Sequence, residues 1–229
     1  TQRGEDVRAR ISVLSQYAGE WQSLLEEVRE MAAKQRPASL NGRTENLLWQ
    51  TIIGTWTDRG PISHERLIQY LEKASREQKI WTTWTEPNEE AENALFMFAR
   101  YLITDEKIGA KIAEFYEHTA PAVRSVLLAA KAIQLTILGV ADNYQGEEIT
   151  QNSLVDPDNR RTVRYGDIVP MLTKLDDHGL GSHPSLDEEK LWLVSRILRL
   201  RREMPDVFVG VRIAVTLEQR IGVNPIIQI

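Results

Sequence analysis

The 229-residue sequence predicts a mainly α-helical chain with one or two short strands, both beyond Gly139. Three observations predict it. Apolar residues recur at spacings of three and four through most of the first two-thirds. Capping residues, prolines and glycines punctuate those stripes at helix-length intervals. Alternation with a period of two first appears near Val209.

The first stripe runs Val7, Ile11, Leu14, Trp21, Leu24, Leu25, Val28, Met31 and is broken only around Ala18-Gly19. Glu5 and Asp6 stand at its start, where the helix dipole favours anions, and Pro37 stops it after Lys34 and Arg36. A second helix is expected over Thr44 to Thr55, with Leu47, Leu48, Ile52 and Ile53 inward. The turn Asp58-Arg59-Gly60-Pro61 follows, and Ser63 can cap a helix whose inner face is Leu67, Tyr70, Leu71 and Ala74. That helix should end near Trp81-Thr82-Thr83-Trp84, where β-branched and aromatic residues weaken helix preference. Pro87-Asn88 opens another, with Leu95, Phe98, Ala99 and Leu102 as its stripe. Lys107 to His118 reads as a further helix, and Thr119 as the cap of a separate one from Ala120 to about Thr136. The latter is apolar nearly all round, which predicts burial on most sides.

The pattern changes at Gly139. Val140 to Gly146 reads as a short strand and turn, followed by a polar loop through Tyr165 and another from Asp176 to Pro184. Ser185 and Glu188 are spaced as a capping box for a helix over Asp187 to Glu203, ended by Pro205. Val209, Val211, Ile213, Val215 and Leu217 alternate as a strand does.

Composition removes several function classes. A net charge of −5 leaves no excess of Lys and Arg for a nucleic-acid surface. The longest apolar run, around Val126 to Val140, is interrupted by Lys131 and Gln134, so no membrane span is expected. The chain contains no cysteine, so disulfides, thiolate zinc and cysteine nucleophiles are excluded, which fits a cytoplasmic location. The chain starts at Thr1 with no apolar h-region, so no signal peptide is expected within it, and it reads as a piece of something longer. No P-loop, GxGxxG or Ser-His-Asp arrangement is present, and no cofactor or metal is expected, His178 and His183 being poorly framed for one.

Three segments are unusual for a purely structural helical domain. Arg3-Gly4-Glu5-Asp6-Val7-Arg8-Ala9-Arg10 crowds arginines and carboxylates beside a glycine that permits close backbone approach; its plain alternative is a salt-bridged helix start. Asp142 to Glu148 resembles the end of a strand at the active-site rim of a (β/α)8 barrel, and its alternative is a solvated loop. Leu154 to Arg161 offers two Asp, an Asn and two Arg beside a proline, a donor and acceptor mixture suited to sugar hydroxyls, although the same residues also make ordinary turns. Trp81 and Trp84 could stack on sugar rings or belong to the core.

The motifs RGEDVRARISVLS, EKASREQKIWTTWTEPNEE, GVADNYQGEE and SLVDPDNRR, in this order, resemble maltooligosyl trehalose synthase, the (1→4)-α-D-glucan 1-α-D-glucosylmutase branch of the α-amylase clan. The resemblance covers roughly Thr1 to Phe208. It implies a helical insertion plus the last strand or strands and last helix of an incomplete (β/α)8 barrel. The implied division is a helical insertion after barrel strand 7 over 1–137, strand 8 with its loop and last helix over 138–205, and an atypical β-like tail over 206–229. The implied activity is isomerisation of the reducing-end α-1,4 linkage of a maltooligosaccharide to an α,α-1,1 trehalosyl linkage, by the retaining two-carboxylate scheme with carboxyls about 5–5.5 Å apart.

The resemblance also implies that none of the catalytic carboxylates lies in this chain: the third acid belongs to a His-Asp pair just ahead of the position of Thr1, and the other two lie on earlier strands. The fragment alone is therefore expected to be inactive. Carried over by position, Arg3 lies on the loop leaving strand 7, Tyr144, Gln145 and Glu148 at the end of strand 8, and Asp156, Asp158, Asn159 and Arg160 on the following substrate-binding loop. The insertion between Arg8 and Ile133 would wall off the reducing-end subsites, with Trp81 or Trp84 contributing. Gln2 stands where the family has Lys, Ala141 and Glu147 depart around the strand, and Thr162 and Arg164 replace Pro and Asp after DNRR. The implied partner is a maltooligosaccharide, with no nucleic acid or membrane, and a lone barrel strand with open edges invites self-association of the fragment. The alternatives are another amylase-type transglycosylase or hydrolase, and a non-enzymatic helical protein-interaction module.

Overall fold

Eight α-helices account for most of residues 3–209, the part of the chain described in the computed structural model: α1 (Glu5–Val13), α2 (Ala18–Ala32), α3 (Gly42–Thr55), α4 (His64–Gln78), α5 (Glu89–Thr104), α6 (Glu106–Thr136), α7 (Tyr165–His178) and α8 (Leu186–Glu203). The chain is mainly α, as the spacing of apolar residues predicts. Two compact units share it. Thr1–Leu127 with Gln151–Thr162 forms the first, and Leu128–Thr150 with Val163–Ile229 the second. Among the described residues no helix is long and apolar enough to cross a membrane.

In the first unit α3 is the central element. Leu48 and Ile52 are fully buried one turn apart, and they share a core with Val7, Leu67, Leu71, Leu95, Phe98, Leu102 and Ile108. α1 packs against α3, and α4 against α5. Gly54 makes the first crossing: a Cβ there would lie 2.9 Å from Val7 Cγ1 and 3.2 Å from Ile11 Cδ1. The starts of α3 to α6 are set locally. The side chains of Asn41, Ser63 and Asn88 accept from the backbone N–H groups of Thr44, Arg66 and Ala91. Asp105 accepts from those of Lys107 and Ile108, both at 3.0 Å. α4 ends where Lys79 takes a left-handed conformation.

Two expectations for the long helix are corrected. Thr119 does not begin a new helix; α6 runs unbroken through it and through Pro121, and the Thr119 hydroxyl donates back to the Phe115 carbonyl at 2.9 Å. The packing of Ile108, Ile112, Phe115, Val123 and Leu127 outweighs the one hydrogen bond that proline removes. Nor is its second half buried on most sides: Val123, Leu127, Lys131 and Leu135 are buried, while Ile133 is 65% exposed. Much of the remaining apolar surface there is alanine, which reads as apolar but buries little area.

The second unit is built on Ile149, Ile168, Leu175 and Leu191, with Met171, Leu172 and Trp192 packed around them. α7 packs against α8. The capping box of Ser185 and Glu188 is formed in both directions. Asp176 to His178, read above as loop, are the last turn of α7, which ends at Gly179 with φ 71°. The expected strand at Val140 to Gly146 is also corrected: residues 140–144 are irregular and a turn follows, and among the described residues only isolated bridges occur, Arg3 with Leu154 and Thr57 with Gly60. A strand needs neighbours to take its N–H and C=O groups, and this segment has no ladder among the described residues. The alternating stretch beyond Val209 lies outside them.

Candidate functional site

The candidate residues fall on two polar segments, one in each unit. Residues 151–162 form the first. Backbone contacts draw this segment to the start of the chain: Gly4 N–H donates to the Ser153 carbonyl at 2.8 Å, and Gln151 N–H to Asp6 Oδ2 at 2.6 Å. Gly4 has to be glycine, since a Cβ would meet the Ser153 oxygen at 2.7 Å. The Asp156–Pro157 peptide is cis, and Asp158–Arg160 make a single 3-10 turn.

Asp158 is the anchor of this loop. Arg66, from α4, donates from Nε to Oδ1 at 2.6 Å and from Nη2 to Oδ2 at 2.9 Å, a two-pronged fork. The Leu154 N–H adds a bond to Oδ2 at 2.7 Å, and Arg66 Nη2 also reaches the Asn152 carbonyl at 2.8 Å. Burial pushes the Asp158 carboxyl up, but the Arg66 fork, the Leu154 N–H and the charge of Arg161 outweigh it and hold it below the usual range.

The neighbouring candidates are placed differently. Asp156 pairs with Arg160 at 2.5 Å and lies 3.9 Å from Lys73. The Arg160 side chain is 70% exposed. Asn159 is half-buried, and its Oδ1 is buried with no hydrogen-bond partner. Arg3 turns onto α3, donating to Gln50 Oε1, the Leu47 carbonyl and Thr51 Oγ1, each at 3.4 Å. Thr1 and Gln2 lie outside the described residues.

The second segment, residues 142–150, is held by two buried lysines. Lys131 of α6 donates to Asn143 Oδ1 at 2.9 Å, and Asn143 Nδ2 passes a bond on to Glu148 Oε1 at 3.2 Å. Lys190 of α8, fully buried, donates to the Ile149 carbonyl at 3.1 Å and stands 3.6 Å from Glu147. Both the N–H and the hydroxyl of Thr150 donate to Asp187 Oδ1. Gly146, with φ 85°, closes the turn that leaves Tyr144 and Gln145 exposed.

Within the first unit, therefore, the structure brings Asp156, Asp158, Asn159 and Arg160 together and ties Arg3 to the same loop through its bridge to Leu154. Within the second it brings Tyr144, Gln145 and Glu148 onto one turn. The pinning residues Arg66, Lys131, Lys190 and Asp187 were not singled out from sequence. Lys131 carried a signal: it is a cation four residues from both Leu127 and Leu135, on the apolar stripe of the helix. Arg66 carried none, because its partner lies 92 residues away. Of the two tryptophans, Trp81 packs against the core and donates to Thr44 Oγ1 at 3.2 Å, while Trp84 is 54% exposed.

Of the candidate residues, Arg160, Tyr144 and Gln145 are open to solvent, with Asn159 partly so. These groups give and take hydrogen bonds and offer one guanidinium fork, chemistry that suits hydroxyl groups. Fold and loops together define a class: a helical segment that presents polar loops on charge-pinned turns.

No protein-family model matches the chain. A Mycobacterium tuberculosis protein named as a maltooligosyl trehalose synthase is 38% identical over 213 residues, 92% of this chain and 26% of its own length. The solved maltooligosyltrehalose synthase of Arthrobacter ramosus is 37% identical, with a TM-score of 0.75 over 90% of this chain and 26% of that one. Another solved maltooligosyl trehalose synthase, 27% identical, gives a TM-score of 0.77 over 91% of this chain and 29% of its own. The chain is homologous to one segment of the maltooligosyl trehalose synthases and spans about a quarter of their length.

Proposed function

We propose that this chain is the rear segment of a cytoplasmic maltooligosyl trehalose synthase, an isomerase that turns the reducing-end α-1,4 linkage of a maltooligosaccharide into an α,α-1,1 linkage. In this reading 138–205 supply the last strand, sugar-binding loop and last helix of a (β/α)8 barrel, and 1–137 the helical insertion that precedes them. The observation that carries it is the ordered likeness along 92% of the chain, which includes the Asp156 to Arg161 loop. The catalytic carboxylates belong to the remainder of the enzyme, and this segment contributes binding groups.

Roles within the segment follow from its contacts. Asn159, Arg160 and Asp156 hold glucose hydroxyls from one loop, and Tyr144 and Gln145 from the other turn. Asp158 and Glu148 act less directly, shaping the backbone that presents those groups. Arg3 braces the first loop against α3.

The test is product analysis of a full-length enzyme containing this segment, given maltoheptaose. Loss of reducing ends without release of glucose or maltose is the expected result, and the 229-residue chain alone gives no turnover. Glucose and maltose as the main products would make the parent another amylase-type hydrolase or transglycosylase. Stoichiometric capture of a protein, with no sugar-induced change at residues 156–160, would favour the interaction module.

A further inference from the structure

Trp84 is held in a way that the isomerase reading does not require. It lies in the connection between α4 and α5, three residues beyond the inward-turned Trp81. One ring face is occupied by the Arg76 guanidinium, whose carbon is 4.9 Å from the ring centroid, and yet the residue stays 54% exposed. The arginine beneath it is fixed: Nε and Nη2 donate to Glu92 at 2.9 and 2.7 Å, and Nη1 pairs with Glu72 at 2.9 Å. The Thr82 hydroxyl donates to the same Glu92 at 2.5 Å and accepts from Asn88 N–H at 3.0 Å. Glu86 N–H bonds the Thr83 hydroxyl at 2.9 Å, closing the turn around the tryptophan.

An exposed indole forgoes the free energy of burial, and a turn this tightly cross-linked gives it little freedom to find shelter. A flat, rigid ring already backed on one face is the preorganised half of a stacking site. Its neighbours in sequence, Thr83 and Thr85, have hydroxyls 3.2 Å apart, and Glu86 is exposed; groups of these kinds pair with sugar hydroxyls. We propose that Trp84 is a stacking platform for a glucosyl ring of an α-1,4-glucan, a binding point supplied by the helical part of the chain and separate in sequence from the Asp156 to Arg160 loop. The choice of sugar rests on the isomerase reading; the platform rests on the geometry around Arg76.

The experiment is a titration of the 15N-labelled 229-residue chain with maltoheptaose, following the indole N–H signals and the backbone amides of residues 156–160 separately, with cellopentaose as the control sugar. The expected result is a saturable shift of the Trp84 indole and saturation transfer from it to the sugar ring protons. Trp84→Ala should weaken that binding about tenfold and Trp84→Phe about two- to threefold, without a change in melting temperature. Shifts at residues 156–160 with a silent Trp84 would overturn this proposal and leave the isomerase reading standing. No shift of the Trp84 indole under saturating sugar, or an equal one with cellopentaose, would also overturn it. Saturation transfer in the unmodified chain decides the matter even if a variant fails to fold.

Discussion

Arg66→Ala tests the anchor of the loop most directly. The Asp158 side chain is 6% exposed and that of Arg66 23%, so the variant leaves a carboxylate in a mostly dry site without its fork. Breaking a buried pair from one side typically costs about 3–5 kcal/mol. Two groups soften that here, the Leu154 N–H at 2.7 Å and the Arg161 guanidinium at 3.4 Å, so a loss of about 2–3 kcal/mol at neutral pH is expected. In urea this moves the unfolding midpoint down by about 1 M, read by far-ultraviolet circular dichroism. The pH dependence gives a second signature. The Asp158 carboxyl is depressed in the native chain, so its stabilisation is complete above the unfolded value near pH 3.9 and fades as pH falls through the native one. Without Arg66, burial raises the same carboxyl, and its protonation then favours the folded state in acid. The gap between wild type and variant must therefore narrow between pH 6 and pH 3. A gap that stays constant, or a variant as stable as wild type at pH 6, would refute the reasoning.

Two further predictions concern the helices. Ser185→Ala removes the cap of α8 and should cost about 1 kcal/mol in urea unfolding. The Glu188 carboxyl, held down to about 2 by Lys174 and then by Ser185, should titrate higher in that variant by carboxyl-detected NMR. Because the native value is depressed, the Glu188 contribution to stability is present above about pH 4.3 and is lost as pH falls toward 2. Gly54→Ala drives a Cβ to 2.9 Å from the fully buried Val7 and should destabilise by about 1–3 kcal/mol, measured as a lower melting temperature, with Val7→Ala restoring part of it.

The helices were readable because their signals are local. Asn88 beside Pro87, Ser63 before a stripe and Ser185 three residues ahead of Glu188 each act over one turn, and each does what its spacing says. Thr119 misled because capping preference is a weak term against a packed face, and Val140 to Gly146 misled because a strand is a property of its neighbours as much as of itself. The loops' residues were visible as a chemical mixture, but their division of labour was not. Asp158 and Asp156 look alike in the sequence, yet one is clamped by α4 and the other lies beside a solvent-exposed arginine. Only the fold brings Arg66 to the former.

The interleaving of the two compact units has a consequence for how such a chain is made. The polypeptide leaves the first unit after Leu127, returns at Gln151 and departs again after Thr162. Ribosomal synthesis delivers Asp6 and Arg66 long before the residues that satisfy them, Gln151 lying 145 positions beyond Asp6. The first unit cannot be completed vectorially, because the Arg66 fork and the Gln151 bond to Asp6 form only once the returning segment emerges. A gene trimmed at residue 150 would encode every α-helix of that unit and still leave Arg66 without Asp158, so a usable excision has to carry both passes of the backbone.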